Sequence, residues 1–121
     1  MWLFTRHGFY SVVAHKDNPH RVLIRARLLT DLERLRKFVR ECLAIELPAV
    51  VESCNSDYAC RVTIDRTAWE QVARALARDV DYPNFKNEVH GESDRDDAYM
   101  RIWSVMRDLQ RQQTRLHKHG R

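Results

Sequence analysis

Three arginines in one short run have the spacing that most directly suggests chemistry. Arg21, Arg25 and Arg27 lie in the segment 21–28, where the apolar residues Val22 and Ile24 alternate with them. Alternation with a period of two is typical of a strand with one buried face. Guanidinium groups make forked contacts with phosphates and carboxylates. The run therefore predicts a strand that turns arginines away from the core, towards an anionic partner.

Two further residues extend this predicted basic face. Arg61 lies on a later predicted strand and points outward if Val62 and Ile64 point inward. One of Phe9 and Tyr10 must share the face, because neighbouring strand residues point in opposite directions, and Tyr10 is taken as the candidate. An open sheet that carries arginines and aromatic rings is typical of proteins that bind single-stranded nucleic acid.

The chain lacks the RNP motifs of such binders. The alternative interpretation is a face that is solvated or buried in a dimer, with its arginines paired to acidic residues from the middle of the chain.

Two other groups of residues are weaker candidates. Arg107, Arg111 and Arg115 form a basic stripe on the last predicted helix, which could contact phosphates or could be an ordinary solvated face. The second group occupies predicted turns, where binding residues are often displayed. It could form a small-molecule pocket, although turn geometry and aromatic anchoring explain it equally well. Its members are Asp57, Tyr58, Asp81 and Lys86.

Known catalytic and cofactor motifs are absent from the sequence. There is no GxGxxG, P-loop, HExxH or GxSxG sequence, and the three glycines are too few for a phosphate-binding glycine loop. The six histidines have no spacing typical of metal ligands. We therefore predict no cofactor, no metal and no catalytic residue, which leaves an enzyme possible but unsupported.

The order of predicted elements is strand, strand, helix, given twice. Helices are predicted from Thr30 to Cys42 and from Asp65 or Thr67 to Val80, with Thr30–Glu33 and Thr67–Glu70 as capping boxes. A short helix at 85–89, a loop at 90–97 and a final helix at about 97–116 follow. We predict an α+β fold of the order ββαββα plus a C-terminal helix, a ferredoxin-like sandwich with a four-stranded antiparallel sheet from two hairpins. Its predicted strands are 2–14, interrupted at Gly8, then 21–28, 49–53 and 58–64.

Length and composition predict one domain, 1–121, with a frayed tail from about residue 117. No apolar run approaches the length that a bilayer requires, and the first residues do not resemble a signal peptide. Three cysteines without a CxxC motif fit reduced thiols. We therefore expect a cytoplasmic protein without a membrane partner.

Charge is distributed unevenly along the chain. Lys and Arg outnumber Asp and Glu nine to three in residues 1–40 and six to one in 101–121, whereas 41–100 hold six against thirteen. Such polarity can steer an anionic partner or draw the basic ends onto the acidic middle.

Several motifs together resemble those of a known group of proteins. They are an FTxxGFYSVV run beginning at Phe4, the triplet 25–27, Asp57-Tyr58, the segment 81–86 and the segment 103–106. The sequence resembles a family of small uncharacterised bacterial proteins over nearly its whole length. The resemblance implies a single bacterial domain and assigns no catalytic residues.

The sequence thus favours a non-catalytic binding module whose basic sheet face engages DNA, RNA or another polyanion. One alternative is a homodimeric interaction or adaptor module that uses the sheet face or the final helix. A second alternative is an enzyme with a small pocket near Asp57 and Asp81.

Overall fold

The computed structural model describes residues 1–89, 91 and 93–120. The chain forms two compact units, Met1–Asp81 and Tyr82–Arg121, which are described separately below. The interpretation of residues 1–121 as one domain stays a prediction.

The first unit contains five strands and two helices. They are β1 (Trp2–Phe4), β2 (Phe9–Ala14), β3 (Arg21–Ala26), α1 (Leu29–Leu43), β4 (Val51–Glu52), β5 (Cys60–Asp65) and α2 (Arg66–Arg78). The second unit contains α3 (Phe85–Glu88) and α4 (Ser93–His119). The α+β class is confirmed.

The strands form one antiparallel sheet in the order β1-β2-β3-β5-β4. The prediction of four strands is wrong, because the segment read as one interrupted strand folds back on itself. Its turn is closed by the Thr5 backbone N–H and Oγ1, which both donate to the Gly8 carbonyl oxygen at 2.9 Å. Two hydrogen bonds within four residues thus make a hairpin where the pattern indicated a bulge.

Both helices of the first unit pack on one face of the sheet. Ile24 on β3 and Leu32 on α1 are fully buried, and Val72 on α2 joins them in the same apolar cluster. Cross-strand partners share a face, so Ile24 lies beside Val12 and Val62 in the core. The predicted inward set was Val22, Ile24, Ala26 and Leu28; the first three are buried as predicted, whereas Leu28 lies beyond the end of β3 and is exposed. The odd-numbered residues of β3 belong to the opposite face.

Neither helix begins with the predicted capping box. α1 begins at Leu29 after Leu28, and α2 begins at Arg66 after Asp65, and neither preceding side chain makes a capping hydrogen bond. Asp31 has another role, since its Oδ2 accepts the Phe9 backbone N–H at 3.1 Å. Its backbone carbonyl accepts the Tyr10 hydroxyl at 2.7 Å. A tertiary contact to β2 therefore occupies the first turn of α1.

The contact between Asp31 and β2 requires a residue without a side chain at position 8. A Cβ placed on Gly8 would lie 2.4 Å from the Asp31 Cγ, far inside van der Waals contact. The glycine thus permits the buried Asp31 carboxyl group to approach the turn between β1 and β2.

In the second unit, α3 packs on α4 through the rings of Phe85 and Tyr99, whose centroids are 5.7 Å apart. The Asn84 side chain accepts a hydrogen bond from the Asn87 backbone N–H and so caps the N-terminus of α3. The predicted loop at 90–97 is helical from Ser93 onward, whereas His90 and Glu92 lie outside the described residues. α4 continues to His119, so the predicted frayed tail is helical to that residue, and Arg121 also lies outside the description.

Candidate nucleic-acid interface

The face of the sheet opposite the helices carries a row of residues that crosses all five strands. Strand register aligns the members of this row, from Trp2 on β1 to Val51 on β4. We name it the Arg25–Arg61 row. Its members are Trp2, Ser11, Arg25, Arg61 and Val51.

The two central members of the row are like charges in direct opposition. Arg25 on β3 is the cross-strand partner of Arg61 on β5. Directly opposed residues of an antiparallel pair have Cα atoms only about 4.5–5.5 Å apart, and like charges at such positions are destabilising. An anion bound close to both residues would reduce this repulsion.

The contacts of these two arginines are to hydroxyl groups rather than to carboxylates. Arg25 donates through Nη2 to the Ser11 Oγ at 2.7 Å, and Arg61 donates through Nη2 to the Ser56 Oγ at 3.0 Å. Within the described residues neither arginine has an ion pair. The buried Nε–H of Arg25 also lacks a hydrogen-bond partner there. Both positive charges thus lack an acidic partner in the part of the chain described.

Tyr58 supports two of the predicted arginines. The guanidinium carbon of Arg25 lies 4.5 Å from the ring centroid, and that of Arg27 lies 4.3 Å from it. Tyr58 is 7% exposed, so its buried ring packs against the arginines and is not free to stack on a ligand. Cation–π contact holds both guanidinium groups in place, and it adds no negative charge to cancel that of Arg25.

Two predicted arginines of this face, Arg21 and Arg27, have acidic partners. Arg27 contacts Asp57 at 3.3 Å and also donates to its backbone carbonyl at 2.9 Å. Arg21 lies 3.9 Å from Asp65, its cross-strand partner. These contacts match the alternative of pairing with acidic residues, so the unpaired charge is concentrated on Arg25 and Arg61.

The aromatic residue assigned to this face was the wrong one. Tyr10 is 1% exposed and belongs to the core, with its hydroxyl bonded to α1. Phe9 occupies the outer side instead and stacks on Phe4, with centroids 4.5 Å apart. The parity of β2 decides this, because Val12 faces the core and residues two apart share a face.

Sequence reasoning missed the most accessible ring on this face. Trp2 is 68% exposed, lies in the row beside Ser11, and meets Phe9 edge to face at 6.1 Å. The signal was present in the run Trp2-Leu3-Phe4, but its use required the hairpin between β1 and β2. The row therefore has an exposed indole at one end and two unpaired arginines at its centre.

The predicted basic stripe lies on α4 in the second unit. Arg107, Arg111 and Arg115 are exposed along this helix. Arg107 lies 4.8 Å from the Trp103 ring centroid and 3.9 Å from Asp108. Exposure and helical spacing suit phosphate contact and an ordinary solvated face equally.

The predicted ligand residues engage separate partners. Asp57 pairs with Arg27, Asp81 accepts a hydrogen bond from Arg6, and Lys86 lies 5.0 Å from the Trp103 ring centroid. Two clefts of the described residues are lined by other side chains: one by Phe38 and its neighbours between α1 and α2, of about 440 Å³, and one near His20. Neither cleft supports a pocket at Asp57 or Asp81.

Metal and thiol chemistry adds little to this site. In the described part of the chain, no three His, Cys, Asp or Glu residues are grouped so that they could hold a metal ion. Burial raises the pKa of the Cys60 thiol, with smaller contributions from the negative charges of Glu52 and Asp31.

Among the described helices, none combines the length and apolarity needed to cross a membrane.

Comparison with known proteins found no match. No family model, no curated protein and no solved structure is significantly similar to this chain. The function of the chain is therefore inferred from the geometry of its own residues.

Proposed function

We propose that the chain is a non-catalytic module that binds single-stranded nucleic acid, or a related polyanion, on the outer face of its sheet. The observation that carries the proposal is the direct opposition of Arg25 and Arg61 without an acidic partner in the described residues. Two arginines at directly opposed positions of one sheet face favour an external anion, and backbone phosphates supply negative charge at regular intervals.

The exposed indole favours nucleic acid over a simple anion. Trp2 lies two strands from Arg25 in the same row, with Ser11 between them. Adjacent strands are about 4.7–4.9 Å apart, so the ring is roughly 10 Å from the arginine strand. A base that stacks on Trp2 could thus keep its neighbouring phosphate close to the guanidinium groups. Base stacking on an aromatic ring is tolerant of sequence, so we expect little sequence preference.

The setting of this function follows from the same interpretation. We place it in a bacterial cytoplasm, where single-stranded nucleic acid is accessible.

We also propose that the first unit, whose two helices cover one face of the sheet, is a variant of the ferredoxin-like sandwich. That fold is usually built in the order βαββαβ. The first unit instead has three strands before its first helix.

The test is binding of a fluorescently labelled single-stranded oligonucleotide at low salt, measured by anisotropy. We expect binding that weakens steeply as salt is added, with a log–log slope of about −0.7 for each phosphate neutralised. Arg25→Gln and Arg61→Gln should each weaken binding and make the slope shallower by about 0.7. Trp2→Leu should weaken binding without changing the slope, because it removes stacking and no charge.

The matched control is Arg74→Gln, which removes one positive charge from an exposed position on α2. This helix packs on the opposite face of the sheet, so the variant should bind as the wild type does. Absence of binding at low salt would refute the proposal. Equal losses in Arg74→Gln and Arg61→Gln would also refute it, because they would indicate attraction by net charge alone.

A further inference from the structure

α4 exposes an apolar stripe along its length. Ile102, Val105 and Leu109 are 38%, 64% and 46% exposed, and Ala98 is exposed too. These four residues are separated by four, three and four positions, the spacing of the a and d positions of a heptad repeat. A stripe with this spacing fits the same kind of stripe on another helix.

The short helix α3 contacts a different side of α4. Its contacts are with Tyr99, through Phe85, and with Trp103, through Lys86. At about 100° per residue, Tyr99 and Trp103 lie roughly 60° and 100° around the helix from Ile102, on one flank of the stripe. The opposite flank carries charged residues.

Four charged residues of alternating sign border the other flank at intervals of seven residues. They are Asp94, Arg101, Asp108 and Arg115. All four are exposed, and the nearest ion pair among them is the 3.9 Å contact of Asp108 with Arg107. Within the described residues, Asp94, Arg101 and Arg115 have no ion pair. In heptad terms the four occupy g positions, which set partner choice and orientation in coiled coils.

We propose that α4 pairs with α4 of a second copy of this chain in an antiparallel coiled coil. In the register that places Ile102 opposite Val105 of the other copy, Ala98 falls opposite Leu109. In an antiparallel pair the g positions of the two helices face each other. Arg101 then meets Asp108, and Asp94 meets Arg115, so all four pairs of flanking charges are of opposite sign.

The same charges disfavour the nearest competing arrangements. A shift of one heptad places Arg101 opposite Arg115 and Asp108 opposite its own copy, so every pair becomes like-charged. A parallel, in-register pair places Arg95, an a-position residue, opposite itself, whereas the proposed register places it opposite Gln112. Polar residues at core positions commonly specify register and orientation in this way.

This inference is independent of the nucleic-acid proposal, because α4 and the Arg25–Arg61 row share no residue. The paired segment, 94–115, has about 22 residues and a length of roughly 33 Å. Its apolar core is small, so we expect a dimer that forms reversibly as concentration rises.

The experiment is sedimentation velocity of the full chain over a range of concentrations up to about 1 mM. We expect the weight-average mass to rise towards that of a dimer. Asp108→Arg should raise the dissociation constant of the dimer by about tenfold or more. The flanking positions 101, 108 and 115 would then all be positive, and positions 101 and 108 would repel each other across the dimer. The double variant R101D/D108R has the composition and net charge of the wild type and restores opposite signs in every pair, so it should restore the dimer.

Orientation is tested by disulfide formation in chains that lack the exposed Cys42 and Cys54. Ala98→Cys mixed with Leu109→Cys should give a cross-linked heterodimer. Ala98→Cys alone should not cross-link, since its two copies would lie about 16 Å apart along the helices. Circular dichroism of each variant verifies that α4 remains helical.

A monomer at every concentration would overturn the proposal, as would a dimer that R101D/D108R fails to restore. Efficient cross-linking of Ala98→Cys with itself would indicate a parallel pair and would overturn the proposed orientation.

Discussion

The outer face of the sheet and the exposed side of α4 use charge in opposite ways. On the sheet, strand register places Arg25 directly opposite Arg61, so two residues of like charge are neighbours within one molecule. On α4, charges of alternating sign recur at seven-residue intervals, so they become complementary only across two molecules. An arginine without an acidic partner therefore has a different interpretation on each element: for the sheet row we propose an anion, and for the helix we propose a second copy of the chain.

The largest expected effect distinguishes the apolar core beneath the sheet, which we expect to be essential for folding, from the exposed apolar stripe of α4. Ile24→Ala removes a fully buried side chain and should lower the free energy of unfolding by about 2–5 kcal/mol. Leu109→Ala on α4 should cost under about 0.5 kcal/mol at concentrations where the chain is monomeric, since Leu109 is half exposed. Urea denaturation measures both values, and similar losses would show that the α4 stripe is already packed within the monomer.

A smaller effect of opposite sign is expected on the outer face. Arg61→Gln relieves the repulsion from Arg25 and should raise the free energy of unfolding by about 0.2–1 kcal/mol at low salt. Arg27→Gln is the matched control, because it breaks the pair with Asp57 and should leave stability unchanged or lower it by up to about 1 kcal/mol. Added salt should shrink both differences. If Arg61→Gln is destabilising at low salt, the repulsion is not the dominant interaction there.

The smallest effect concerns Cys60, which is buried on the inner side of the sheet, whereas Cys42 and Cys54 are exposed. The raised pKa of Cys60 means that the folded state retains its thiol proton longer than the unfolded chain does. Its contribution to stability is therefore complete below the thiol's ordinary pKa of 9.0 and declines as the pH rises above that value.

The test compares the wild type with Cys60→Ala between about pH 8 and about pH 10.5 by urea denaturation. The wild type should lose more stability over this interval, because all other groups titrate in both proteins. Thiol labelling at about pH 8 should also modify Cys42 and Cys54 well before Cys60. Rapid labelling of all three cysteines would contradict the buried position of Cys60.

Much of the secondary structure was predictable, because it depends on local periodicity. The alternation around Ile24 correctly predicted which side of β3 is buried. The spacing of Leu32, Leu35, Phe38, Val39 and Cys42 predicts the core stripe of α1, and the structure buries Leu32, Leu35 and Val39, buries Phe38 in part and leaves Cys42 exposed. Errors occurred where a distant contact replaced a local one. Thr30 and Glu33 have the pattern of a capping box, yet the first turn of α1 is fixed by the bond from Asp31 to β2.

The candidate site was predictable in its arginines and not in its aromatic ring. Arg25 and Arg61 could be assigned to one face, since each alternates with buried neighbours. Phe9 and Tyr10 are adjacent aromatic residues, and the packing of Tyr10 and Val12 on the core side of β2 decides which one faces outward. The pairing of Arg27 with Asp57 likewise depends on a turn whose path the sequence does not specify.

By itself the sequence determined the α+β class, the alternating faces of β3 and β5, and the charge pattern of α4, because each is a matter of spacing along one element. Only the tertiary structure decided that the sheet has five strands, that Trp2 joins the outer row and that Arg25 lies opposite Arg61. Those features depend on strand register. The β1–β2 register is set by the turn closed at Thr5 and Gly8, and the β3–β5 register by burial of one face against helices that are distant in the sequence. The alternation of residues along a single strand specifies neither register.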